Sequence, residues 1–208
     1  MSKIDYKKVY SMVYKASSKK AAIVDFPTLQ FIAIKGEGAP DSDRFIQSIQ
    51  ALYGIAYTIS MSYKNDSLQI PNFERFVCPP LEGHWSTLNG AVYDGKDKSV
   101  FEWEIRIMMP EFVTQNYFEK ARSIVSAKKH NPKFHEVALI TRESKKHCVM
   151  MHVGSFDTEI ETFKIMEAYV KESGYQRKEK DHEEIYLSDF RKVSSDKLKT
   201  VLAFEVEK

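Results

Sequence analysis

The chain has 208 residues, 43% hydrophobic and 12% aromatic, enough for a core in one domain or two fused small halves. Its 31 Lys and Arg nearly balance 29 Asp and Glu, so nothing in the charge demands nucleic acid or an anionic membrane, and neither direct nucleic-acid binding nor a membrane partner is expected. Cys78 and Cys148 lie far apart with no CxxC and no His at zinc-like spacing, which points to reduced thiols and no metal site. No stretch is long enough for a membrane span and no apolar leader follows the N-terminus, so a cytoplasmic location is expected.

Tyr6, Val9, Tyr10, Val13 and Tyr14 recur at helical spacing and predict a short amphipathic helix over residues 5–14. Residues 29–35 read as a strand broken by Gly36-Glu37-Gly38-Ala39-Pro40, which lacks the third glycine of a dinucleotide fingerprint. Asp41 or Ser42 then caps a helix with Phe45, Ile49 and Leu52 on its apolar face, ending at Gly54. The alternation of Ile55, Tyr57, Ile59 and Met61 predicts a strand, and residues 75–81 predict another.

Pro79-Pro80-Leu81-Glu82-Gly83-His84-Trp85 is the most unusual stretch. Two prolines stiffen the backbone and remove two amide donors. It reads either as a surface turn with one packed Trp or as a strand end delivering Glu82 and Trp85 to one spot. Asn89-Gly90 and Asp94-Gly95 signal turns, and residues 101–109 form a strand with Trp103 on its apolar side and Glu102, Glu104 and Arg106 opposite. Thr114 caps a helix bearing Phe118, Ala121 and Val125. Residues 137–141 and 147–153 suggest a hairpin. Gly154 and an acidic turn follow, then a helix with Ile160, Phe163, Met166 and Val170 that ends at Gly174. Residues 182–187 and 198–206 complete the strands.

Gly36 precedes Phe45 by nine residues and Gly154 precedes Phe163 by nine, each between a strand and a helix. Two such strand–helix–strand units suggest an α+β fold of duplicated halves, about 21–100 and 101–208, after an extension over residues 1–20. A ligand cleft is expected at their junction.

Chemistry-bearing residues are few. His182, Glu184 and Tyr186 share one side of a strand, facing either water or a pocket wall. His152 shares a side with Cys148 and Met150 and reads as a hydrogen-bonded, half-buried imidazole. No GxSxG, HExxH or phosphate loop occurs, and no cofactor is expected. Aromatic rings and carboxylates at strand ends favour flat, apolar or cationic ligands.

The chain resembles the GyrI-like small-molecule-binding family. The resemblance is carried by residues 51–58, by Val77-Cys78-Pro79-Pro80-Leu81-Glu82-Gly83-His84-Trp85 and by Pro110-Glu111-Phe112-Val113-Thr114. Further along it is carried by His152-Val153-Gly154-Ser155-Phe156-Asp157, by residues 184–192 and by residues 197–202. It implies a duplicated α+β domain binding drug-like, xenobiotic small molecules in an aromatic cage. A stand-alone subfamily, which the chain most resembles, opens cyclopropane rings of DNA-alkylating compounds by hydrolysis. The site so implied has Glu184 and Tyr186 as catalytic residues, and Glu82, Trp85, Trp103, Tyr57, His152 and Phe156 against the ligand. Ser86 stands where members often carry a second Trp, and Phe156 where they often carry Tyr. The family's gyrase-inhibitor name implies a third reading, a protein-interaction module.

Overall fold

The computed structural model describes residues 3–64, 66–88, 97–190 and 192–208. The turn signals at Asn89-Gly90 and Asp94-Gly95 lie outside the described residues. The chain forms two compact units, each assembled from separated stretches: Met1–Tyr6, Leu29–Pro79 and Thr87–Arg142 in one, Lys7–Thr28, Pro80–Ser86 and Glu143–Lys208 in the other. This is a different cut from a division near residue 100.

The first unit is a three-stranded antiparallel sheet with two helices. Strand β2 (Leu29–Glu37) lies between β4 (Phe101–Met109) and β5 (Ala138–Arg142), in registers such as Ile32↔Ile107 and Phe31↔Ile140. Helix α3 (Asp43–Ser60) begins at Ser42, whose hydroxyl accepts from the Phe45 amide. It does not stop at Gly54. Phe45, Ile49, Leu52, Ile55, Ala56 and Ile59 are buried at helical spacing, so the apparent alternation of residues 55–61 is the second half of this helix. Gly54 lies mid-helix and leaves room for Phe134, whose Cε1 would be 2.9 Å from a methyl there. The repeat read from the sequence therefore shares its first glycine and its phenylalanine, but not its helix stop. Helix α4 (Gln115–Lys128) buries Phe118, Ala121 and Val125.

The second unit carries a five-stranded antiparallel sheet. Its order is β1 (Ala22–Phe26), β6 (Lys145–Val153), β9 (Lys199–Glu207), β8 (His182–Tyr186) and β3 (Leu81–Thr87), with β7 (Gln176–Arg177) also on β9. The expected hairpin of β5 with β6 does not form: β5 pairs with β2, and β6 with β1 and β9. Residues 75–81 are not the strand. The prolines end before β3 begins at Leu81, and β3 itself carries the glutamate and the indole.

Helix α5 (Glu159–Glu172) covers one face of this sheet, where Met166 and Val170 pack on Cys148, Met150, Leu202 and Phe204. Ile160, expected on its apolar face, points to solvent. Gly174 ends α5 in the left-handed region at φ 73°. The opposite face is covered by α2 (Ser11–Tyr14), which follows the one-turn helix α1 (Tyr6–Val9), in place of the single N-terminal helix. There Val13 and Tyr14 meet Phe26, Val149, Ile185 and Val201. Burial pushes the thiols of Cys78 and Cys148 up to about 12, so neither is a thiolate at neutral pH. No described helix is long and apolar enough to cross a membrane.

Candidate functional site

Strand parity in the second unit decides what meets what. β3 pairs with β8 so that Gly83 faces Glu184 and Trp85 faces His182. β9 then places Leu202 opposite Glu184 and Thr200 opposite Tyr186, and β6 places His152 opposite Thr200. Residues opposite one another in register point to the same side. His152, Thr200, Tyr186, Glu184, His182 and Trp85 thus share the face that α5 covers. Glu82 and His84 point to the other face.

Trp85 and Tyr186 meet over a glycine. The indole Nε1–H donates to the Tyr186 hydroxyl at 2.9 Å. A methyl on Gly83 would sit 2.7 Å from that nitrogen and 2.9 Å from that oxygen, so only glycine leaves room for the bond. Phe156, in the turn before α5, stands edge-on to Tyr186 with ring centroids 6.1 Å apart, and Phe190 stands edge-on to both. Phe156 is 37% exposed, so this aromatic wall reaches solvent.

An acidic cluster lies behind the wall. Glu184 is 8% exposed and is bonded by Nε2 of His182 at 3.0 Å. Glu159, the first residue of α5, is 7% exposed. Burial, then the charges of Glu184 and Asp157, pushes the Glu159 carboxyl well above the usual range. Burial and the neighbouring Glu184 also hold the Tyr186 phenol up, so it remains a hydrogen-bond donor at neutral pH. Among the described residues, no lysine or arginine lies within ion-pair distance of Glu159 or Glu184.

Glu82, His152, Trp103 and Tyr57 each make contacts of their own. Glu82 accepts from the buried Tyr14 hydroxyl at 2.8 Å, tying β3 to α2 on the far face from Trp85. A three-residue spacing along a strand puts Glu82 and Trp85 on opposite faces, so the motif does not deliver them to one spot. His152 is buried, with Nδ1 at 2.8 Å from the Thr162 hydroxyl and Nε2 at 3.0 Å from the Ser155 carbonyl. The carbonyl only accepts, so the Nε2–H tautomer is favoured and the ring pins the turn before α5. Trp103 and Tyr57 belong to the first unit. Trp103 is buried edge-on against Phe45 at 5.0 Å. Tyr57 is 55% exposed on α3 and stacks on Tyr53.

Two participants escaped the sequence reading. Glu159 lies where the sequence showed only an acidic turn leading into a helix, and α5 buries it at its first residue. Phe190 follows the last strand turn without periodicity to mark it.

The second unit is an α+β arrangement: a helix-covered antiparallel sheet whose covered face carries an aromatic wall and a buried acid. The chain belongs to the GyrI-like family, whose small molecule binding domain matches residues 20–207. It is similar to a hydrolase from Listeria innocua at 32% identity, with a TM-score of 0.92 over 99% of this chain and 100% of the other. An uncharacterized conserved protein from the same species is 33% identical with a TM-score of 0.91, again over 99% and 100%. The C-terminal domain of EcmrR shares the fold at 12% identity and a TM-score of 0.53, over 91% of this chain and 98% of the other. No curated protein matches the chain.

Proposed function

We propose that this chain binds planar, hydrophobic or cationic small molecules of the xenobiotic kind against the Trp85–Tyr186–Phe156 wall, with Glu184 as the counter-charge. The observation that carries this reading is the burial of Glu184 beside Glu159 with no lysine or arginine in reach among the described residues. A buried carboxylate is costly without a partner, and a cation on an aromatic face gains about 0.5–2 kcal/mol. A flat cation answers both needs. The test is a titration with a planar cationic dye and a neutral planar hydrocarbon of similar size, followed by indole fluorescence. Glu184→Gln is expected to weaken the dye about tenfold or more and to leave the hydrocarbon unchanged. Equal effects on both would sink the reading.

A hydrolase is the second reading, favoured by the full-length similarity to the Listeria hydrolase. For a strained cyclopropane, Glu184 would take a proton from water as its oxygen bonds to a ring carbon. The ring C–C bond breaks, its electrons move to the other carbon, and the Tyr186 phenol supplies the proton there. The proton held by Glu184 then returns to Tyr186, and the product is the substrate plus one water. Single-turnover incubation with a cyclopropane-bearing alkylator, read by mass, separates the two: binding without an added water leaves only the binder.

A further inference from the structure

Glu159 from the start of α5, and His182 and Glu184 from β8, each bring one ligand-type atom to within 4.8 Å of the others. The pair His182 Nε2 and Glu184 Oε1 is already 3.0 Å apart, a separation two ligands of one small ion can share. Glu159 Oε1 is buried and has no hydrogen-bond partner among the described residues. Such an oxygen loses its water and gains nothing in return. The His182 ring is held edge-on by Phe163 at 5.0 Å, so its orientation does not depend on the Glu184 bond alone.

We propose that Glu159, His182 and Glu184 form a binding site for a divalent first-row metal ion of the zinc or cobalt kind. Two carboxylates neutralise a dication. One imidazole with two carboxylates suits zinc, cobalt, iron or manganese better than magnesium or calcium, which take oxygen alone. Metal–ligand bonds of about 2.0–2.2 Å require the three side chains to close by small rotations. Three protein ligands leave a position for water on the ion. The inference shares Glu184 with the organic-ligand reading but gives the acidic cluster a different occupant, an ion held by Glu159, His182 and Glu184 without the aromatic wall.

The test is calorimetric titration of the chelator-stripped full chain with Zn(II), Co(II) and Mg(II), with visible absorption of the Co(II) form. One equivalent of Zn(II) or Co(II) is expected to bind at least about a hundredfold more tightly than Mg(II). Glu159→Gln, Glu184→Gln and His182→Gln should each weaken Zn(II) about tenfold or more and alter the Co(II) bands, while Glu82→Gln changes neither. Glu159→Gln keeps the shape and replaces a buried carboxyl whose Oε1 has no hydrogen-bond partner among the described residues, so its melting temperature should not fall, and folding does not confuse the result. Absence of a Co(II) band in the wild-type chain, or wild-type affinity in the two glutamate variants, overturns the proposal. Planar-dye binding in the chelator-stripped protein is scored separately: metal binding without dye binding removes only the organic-ligand reading, and the reverse removes only the metal.

Discussion

The two units solve the same packing problem and end with opposite results. Each has a tryptophan lying over a strand glycine. In the first unit a methyl on Gly36 would fall 2.2 Å from Cη2 of Trp103, so the indole lies flat on the backbone and fills the core. In the second, Gly83 makes room for a hydrogen bond between Trp85 and Tyr186. Each also buries an acid. Glu104 has Arg142 at 2.6 Å, Arg106 at 3.7 Å and Lys35 at 3.8 Å, and Arg106 lies over Phe31. Glu184 has His182 and a second carboxylate. A buried charge whose own chain supplies the partner is costly to break, and one left in excess is open to a partner from outside.

The comparison can be broken at its strongest point first. Glu104→Gln removes the charge that Arg142, Arg106 and Lys35 share and should cost about 3 kcal/mol in chemical denaturation. Glu184→Gln should cost no stability. Similar losses in both would erase the distinction between the units. Gly36→Ala forces a methyl into Trp103 and should cost about 2 kcal/mol without weakening ligand binding, read by melting and dye titration together.

A third test concerns pH and stays within the second unit. Burial pulls the His84 imidazole down, but hydrogen bonds and charge from Asp181 and Glu183 outweigh it and raise it to about 9. Its unfolded value is about 6.5. The stabilisation is therefore fully present below about 6.5 and is lost as pH rises through 9. After allowing for solvent screening it is on the order of 1–2 kcal/mol. Unfolding free energy measured from pH 6 to 10 should fall by that amount, and His84→Gln should flatten the decline. The smallest effect is expected for Gly83→Ala, which removes the Trp85–Tyr186 bond for about 1 kcal/mol of stability. Its sharper readout is dye affinity, because the wall loses its fixed geometry while the acid remains.

Several features of this molecule were legible in the residues alone. The α+β class, the side-chain cap at Ser42, the start of a helix after Thr114 (whose side chain makes no capping bond), the turn at Gly174, the strand carrying Trp103 and the shared side of His182, Glu184 and Tyr186 follow from periodicity and from what glycine and short polar side chains do to a backbone. Those signals act within a few residues of one another. Gly54 shows their limit, since a helix stop and a mid-helix contact with Phe134 look the same in one dimension. The alternation of residues 55–61 misled because a helix with two buried positions per turn matches a strand over seven residues. Strand partners, the face on which Glu82 lies, and the burial of Glu159 against Glu184 were decided only when distant strands paired and α5 settled on them. Long-range pairing fixes register, and register fixes which carboxylates lose their water and which keep a partner.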